Sequence, residues 1–262
     1  MMSLRESIQT RKSVRRYKDT CVERNIVIEV KNDLQNYTSK FGTSRVRFEV
    51  LTAEDETEVA KLGFLWGVGK INAPYCIIGI CEDDQGMQEL GFALEPEVLK
   101  LTSAGYGTCW LGTFDRKALN LKFNVKEKEQ IGVVIAFGAA QEGGFLNSSF
   151  RKIAGSTKRK EIKEIWMNYP EVKAAEEIAM LVKMSILAPS SNNGQPVRVI
   201  IKEKRADFFL IGNSRIDAGI FMSHFYLCAS EICDNVNISI ESYPLECYTQ
   251  EKATKYVASI FF

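Results

Sequence analysis

RVRFEVL at residues 45–51 and PVRVIIK at 196–202 both place Val-Arg at the head of an alternating apolar run. Aligning Val46 with Val197 sets them 197 − 46 = 151 positions apart. Upstream of the first, Ile26, Val30, Leu34 and Tyr37 recur at helical spacing, and upstream of the second Ile178, Leu181, Val182 and Ile186 do the same. Both read as amphipathic helices that feed strands. A chain that takes the same helix-to-strand step twice can be built only from two related units, unless two ordinary helix-strand pairs agree by chance.

A second correspondence follows in the same order. GFALEPEVLKLTSAGYGT from Gly91 and GIFMSHFYLCASEICDN from Gly219 each read as a long, mostly apolar helix, 219 − 91 = 128 positions apart. The second unit is therefore shorter between strand and helix by about 151 − 128 = 23 residues, and the missing part corresponds to the region around LGFLWGVGKINAPYCIIG. Each unit closes with an apolar strand, IGVVIAFG at 131–138 and YVASIFF at 256–262. The basic connection SSFRKIAGSTKRKEIKEIW at 148–166 places the units at 1–165 and 166–262. Helices this apolar must be buried, which predicts an α+β fold, two half-units around mixed or antiparallel sheets, rather than an alternating parallel one. Leu90, Leu94 and Leu101, with Ile216, Ile220 and Leu227, are expected to form the surface shared by the units. No GxGxxG follows a strand, so a Rossmann dinucleotide site is not expected.

With 262 residues, 45% of them hydrophobic, the chain can bury a sizeable core. A net charge of +1 gives no footprint for nucleic acid or an anionic membrane, which leaves a small molecule as the expected partner. Seven cysteines without a CxxC pair, and His224 as the only histidine, point away from a zinc site or disulfide framework and toward reduced thiols in the cytoplasm. The start MMSLRESIQTRKSV lacks a signal-peptide core, and the apolar run YCIIGIC at 75–81 is too short to span a bilayer.

Four places carry chemistry. Arg11, Lys12, Ser13 and Arg15 combine guanidinium forks with a hydroxyl, a set suited to phosphate oxygens; taken alone, such a run is also what a solvated face looks like. Pro189, Ser190, Ser191, Asn193 and Gln195 put short polar side chains between a helix and a strand, where they can bond polyol hydroxyls or simply make a turn. In SAGYGTCWLGTFD at 103–115, Gly107 and Gly112 permit close backbone approach beside Trp110 and Leu111. Arg159, with Lys158, adds late cations that a solvated basic linker would also explain. Cys109 is expected to be a buried small hydrophobe and His224 a satisfied core histidine.

These motifs together resemble the nitroreductase family of FMN enzymes. The resemblance implies that RxSxR grips the FMN phosphate and that the PSxxNxQP loop reaches the ribityl chain and ring from a partner subunit. It implies further that the Trp110-Leu111-Gly112 loop offers backbone donors to the reactive edge of the flavin. Trp66, Gly67 and Lys70 lie where the family adds a contact from its middle segment, and Arg159 resembles its late phosphate-binding cation. One departure is Val197, where the family usually has Trp after Gln-Pro.

The motifs are distributed unevenly. The first unit has NYTSKFGTS where a second PSxxNxQP would stand, and in the second unit NVNISI replaces the Trp-Leu-Gly loop. One complete set results, as in the nitroreductase subfamily whose single chain holds a duplicated nitroreductase-like fold. The implied protein is a monomer acting as a pseudo-dimer. It would bind FMN and pass hydride from NADH or NADPH to a nitro, quinone or similar small-molecule electron acceptor by a ping-pong mechanism, with no catalytic side chain. A flavin-binding protein without turnover is the alternative.

Overall fold

The computed structural model describes residues 2–52, 63–65, 69–71, 73–141, 158–169, 176–241 and 254–262. Helix α1 (Leu4–Thr10) opens with a capping box in which the Glu6 amide donates to Ser3 Oγ and the Ser3 amide donates to Glu6 Oε2. Then follow α2 (Arg24–Gln35), β1 (Val46–Leu51), a short hairpin of β2 (Gly63–Leu65) and β3 (Gly69–Ile71), β4 (Tyr75–Cys81), α3 (Asp84–Ser103), β5 (Gly107–Leu111), α4 (Arg116–Lys122) and β6 (Gln130–Gly138). The remainder comprises a single turn α5 (Ile162–Ile165), α6 (Glu176–Ile186), β7 (Val197–Lys202), β8 (Arg205–Ile211), α7 (Arg215–Ser230), β9 (Asn237–Ser239) and β10 (Thr254–Phe261). Among the described residues no helix is long and apolar enough to cross a membrane.

The strands form two four-stranded antiparallel sheets, ordered β1-β4-β6-β5 and β7-β8-β10-β9. Numbered within its own sheet, each runs first, second, fourth, third. A helix precedes the first strand of each sheet, and a long helix, α3 or α7, joins its second strand to its third. Val46 and Val197 both stand at the first position of a first strand.

Two boundaries differ from expectation. Helix α2 stops at Gln35, so Tyr37 lies beyond it and packs its ring edge-on against Phe48. Residues 52–74 separate β1 from β4 whereas only 203–204 separate β7 from β8, and the YCIIG segment is not part of that difference, because β4 holds the place in its sheet that β8 holds in the other. The chain from Ile162 to Trp166 packs with the second sheet, where the Met167 amide donates to Val199 O at 2.9 Å.

Helices α3 and α7 are covered on nearly every side, α3 burying even Gln88, Glu89, Glu95 and Glu97 among its apolar residues. Leu90, Leu94, Val98 and Leu101 cluster with Tyr75, Ile77, Val133, Ile135 and Phe137 of the first sheet. They therefore face mainly the first sheet, with Ile216 of α7 packed against the same cluster, which corrects their assignment as the surface that α3 turns toward α7. A helix without a polar face leaves its rotation open in the sequence. Gly91, Phe92, Glu95 and Leu99 carry the opposite face; Phe92 and Leu99 join Ile220, Phe221 and Phe225 in a second cluster.

The two long helices cross at glycines. A Cβ built on Gly91 would lie 2.2 Å from Ile216 O, and one on Gly219 would lie 2.0 Å from Gln88 O. Each glycine thus faces the carbonyl three residues before the other, and each also faces the amide one residue after it, Ile220 N and Phe92 N.

A surface clamp closes the first sheet. Arg47 on β1 donates from Nε and Nη2 to the two carboxylate oxygens of Glu129 at 3.0 and 2.9 Å. These bonds hold the Glu129 carboxyl down to about 2. A carboxyl with a lowered folded value contributes stability above its unfolded value and loses it as pH falls through the folded one. Lowering the pH from about 5 to about 2 is thus expected to remove this contribution, roughly 1 kcal/mol after solvent screening. Glu129→Gln should lower the melting temperature at neutral pH and flatten the decline in acid. A variant with the wild-type pH profile would remove the clamp from the stability of the sheet.

Candidate functional site

The segment after α1 is pinned to the edge of the first sheet. Val14 N donates to Thr108 O at 2.8 Å, Lys18 N donates to Ala139 O at 2.9 Å, and Ser13 and Tyr17 form isolated bridges with Thr108 and Ala140. A Cβ on Gly107 would meet Val14 at 2.6 Å, so this glycine admits the segment to the sheet edge. Val14 and Tyr17 are buried in the first sheet's core, Arg11, Ser13 and Arg15 are half-buried, and Lys12 is exposed.

Arg11 is the unusual member of this group. Its Nε and Nη1 are buried and make no hydrogen bond among the described residues. Burial pulls its guanidinium below the ordinary arginine value, opposed by the charge of Glu95 and reinforced by Arg15. Arg159 is lowered in the same way, first by burial and then by the charge of Arg11. Arg15 and Arg159 therefore both act on the field at Arg11, although they lie 144 positions apart in the chain (159 − 15). Buried donors of a cation are costly unless an anion satisfies them.

Arg159 joins this cluster to the loop after α6. It donates from Nη1 to Asn193 Oδ1 at 2.5 Å and from Nη2 to Leu187 O at 3.2 Å. Asn193 Nδ2 and Gln195 Nε2 both donate to Lys158 O, at 2.8 and 3.2 Å, and Lys160 N donates to Gln195 Oε1 at 2.8 Å. The loop backbone is strained: Asn192, Asn193 and Gln195 have φ of 50°, 54° and 47°, a left-handed region that side chains other than glycine seldom adopt. Contacts within the loop and to α7 hold it. Gln195 N donates to Ser190 Oγ at 2.9 Å, and Ser191 N donates to both carboxylate oxygens of Asp217 at 3.1 Å. Burial raises the Asp217 carboxyl, against the Ser214 hydroxyl and the Ser191 amide.

An open groove with about 720 Å³ of empty space lies over Lys158, Arg159, Lys160, Asn193 and Gln195. A smaller pocket of about 270 Å³ lies behind the loop, lined by Pro189, Ser190, Val197, Asp217 and Phe221 among others.

Gly107–Leu111 is strand β5, so Trp110 and Leu111 belong to a strand and only Gly112 begins a loop; nothing lies within 4 Å of a Cβ placed on Gly112. Leu111 is buried in the first sheet's core. Trp110 is half-buried and donates from Nε1 to Glu95 Oε2 at 3.1 Å. Cys109 is buried and its thiol is pushed up by that burial, as a small hydrophobe would be. His224 is fully buried with both ring nitrogens engaged, by Glu95 and by Met184 O.

Of the residues singled out in the sequence, the structure brings together Arg11, Arg15, Arg159, Asn193 and Gln195. Trp66 and Gly67 lie outside the described residues, and Lys70 lies on β3. Motif reading missed Glu95 and Asp217. Asp217 offered a signal as the one acid of a mostly apolar helix, which must find a partner when buried, whereas Glu95 shares α3 with Glu89 and Glu97 and nothing in the sequence singled it out.

A family model described as "Putative TM nitroreductase" matches residues 3–229 of the chain. A search of curated proteins found no match. Among solved structures, a "putative nitroreductase" from Thermotoga maritima is 24% identical, with a TM-score of 0.65 over 99% of this chain and 94% of that one. An FMN-dependent nitroreductase from Clostridium difficile is 21% identical over 53% of this chain and 88% of its own, with a TM-score of 0.44. A nitroreductase with bound FMN from Bacteroides fragilis is 17% identical over 66% and 100%, with a TM-score of 0.45. The Thermotoga structure shares the fold of this chain.

Proposed function

This chain belongs to the Putative TM nitroreductase family, and from that premise we propose that it is an FMN-dependent oxidoreductase passing hydride from NADH or NADPH to a nitro, quinone or similar small-molecule acceptor. The observation that carries this reading is Arg11, whose buried, unsatisfied donors sit in the field of Arg15 and Arg159. Such a cluster fits a phosphate. Arg11, Arg15 and Arg159 would hold the FMN phosphate, with Ser13 beside them. The strained loop carrying Ser190, Ser191 and Asn193 would border the ribityl chain, and Trp110 and Gly112 the ring. When bound, FMN supplies the hydride chemistry, so the protein's part is to bind, orient and exclude water. Cytoplasmic residence belongs to the same proposal.

The chain is further proposed to be two nitroreductase-like units fused into a pseudo-dimer. The shared strand order of the two sheets supports this, and so does the glycine crossing of α3 and α7. Reciprocal contact, in which each position meets the other's counterpart, is the signature of a two-fold interface. Only one of the two pseudo-equivalent sites would hold flavin. In the first unit the helix-to-strand segment carries Tyr37 and Phe41; the Tyr37 ring packs on Phe48, while those of Phe41, Phe92 and Tyr226 meet edge-on in series with centroids 5.2 and 5.3 Å apart. Aromatic rings thus fill ground that short polar side chains occupy in the second unit.

The purified protein is expected to carry one FMN per chain, released and quantified from its absorption spectrum, and two per chain would overturn the one-sided site. NADH or NADPH should bleach that flavin under anaerobic conditions. Varying the acceptor at several donor concentrations should give parallel double-reciprocal lines, since donor and acceptor use one slot in turn. Flavin that neither nucleotide bleaches would instead favour a flavin-binding protein without turnover.

A further inference from the structure

Glu95 and His224 form a buried polar link between the two units, and neither belongs to a motif. Both are fully buried, Glu95 on α3 and His224 on α7, with Glu95 Oε1 and His224 Nε2 2.8 Å apart. On one side, Glu95 Oε2 accepts the indole N–H of Trp110 at 3.1 Å, and its charge acts on Arg11. On the other, His224 Nδ1 lies 3.1 Å from Met184 O on α6, the helix that runs directly into the Pro189–Gln195 loop.

The partners settle where the hydrogens lie. A carbonyl oxygen only accepts, so His224 Nδ1 carries a hydrogen, and one proton then occupies the line between Nε2 and Glu95 Oε1. The link holds whichever of the two atoms owns that proton. A buried carboxylate and imidazole left apart would each be costly, so the pair fixes the spacing of α3 and α7 at this point.

The link is also one-sided. Under the offset that relates Gly91 to Gly219, Glu95 corresponds to Ser223 (95 + 128) and His224 to Pro96 (224 − 128). Ser223 Oγ is buried with no hydrogen-bond partner among the described residues, and proline has no side-chain polar atom to offer it. The pair therefore exists only where Trp110, Arg11 and the Pro189–Gln195 loop converge.

We infer that Glu95 and His224 are positioning residues that hold the two parts of the flavin site in register: the Arg11 and Trp110 part on the first unit and the Pro189–Gln195 loop on the second. This rests on the FMN reading above. Aspartate and glutamine at position 95 separate reach from charge. Glu95→Gln keeps the reach, its amide oxygen accepting from Trp110 and its amide N–H donating to His224 Nε2, whereas Glu95→Asp keeps the carboxyl group but is too short to meet both partners.

The test is titration of FMN into apoprotein, followed by flavin fluorescence, together with the visible circular dichroism of the bound flavin at saturation. Glu95→Asp and His224→Phe should each weaken FMN binding about tenfold, the loss of one buried hydrogen bond. Both should alter the visible dichroism even when fully loaded, which a loss of stability alone would not do. Glu95→Gln should stay within about twofold of wild type by the same measure, and so should Ser223→Ala. The inference is overturned if Glu95→Asp matches wild type in both readouts, or if Glu95→Gln falls as far as Glu95→Asp. Wild-type protein that binds no FMN would overturn the FMN reading itself, a result distinct from a flat series of variants around a wild type that binds.

Discussion

Gly219→Ala is expected to cost the fold about 3 kcal/mol or more, at or above the top of the range for overpacked interiors. The added methyl would lie 2.0 Å from Gln88 O and 2.7 Å from Phe92 N. Both are backbone atoms of a helix that is itself packed on a sheet, so neither can swing aside as a side-chain tip would. Relief requires α3 and α7 to part, which opens voids in two apolar clusters at once. Gly91→Ala should behave alike, with its methyl 2.2 Å from Ile216 O. The sign is informative, because alanine is otherwise favoured over glycine inside a helix by about 1 kcal/mol. Gly112→Ala serves as the control, since its methyl meets nothing within 4 Å. Thermal or urea melts of the three variants decide the matter: Gly91→Ala and Gly219→Ala as stable as wild type would remove the close helix crossing.

Arg11→Ala is expected to weaken FMN binding by roughly 10- to 150-fold, the equivalent of one charge-assisted hydrogen bond of about 1.5–3 kcal/mol. The apoprotein should respond with the opposite sign. Its buried donors, unpartnered among the described residues, and the repulsion from Arg15 and Arg159 outweigh the opposing charge of Glu95 and make Arg11 a burden in the absence of a bound anion. Removing it should leave the apoprotein melting temperature unchanged or raised. Loss of ligand affinity together with retained or improved stability distinguishes a ligand-binding arginine from a structural one. Arg15→Ala should also weaken binding. Unchanged flavin affinity in both variants would place the phosphate elsewhere.

Local order along the chain was legible in the amino acids themselves. Alternating apolar residues place β1 and β7, each headed by Val-Arg, and helical spacing places α2 and α6 before them, because burial of one face imposes a period that survives without knowledge of the partner. The cations Arg11, Arg15 and Arg159 were grouped by the resemblance to nitroreductases, since their chemistry alone fits a solvated face equally well. Partners were not legible. Helix α3 has apolar residues on every side, so nothing in its period says that Leu90, Leu94 and Leu101 face the sheet while Gly91, Phe92 and Glu95 face α7. Asn193 and Gln195 read as ligand contacts, yet their side chains bond the 158–160 segment, a choice made by the docking of two loops. Glu95 and His224 stand 129 positions apart, and neither predicts the other. Composition and period determine which side chains leave water. Which of them meet is decided only when helices and sheets close on one another, since a buried acid, imidazole or guanidinium selects its partner by geometry at contact distance.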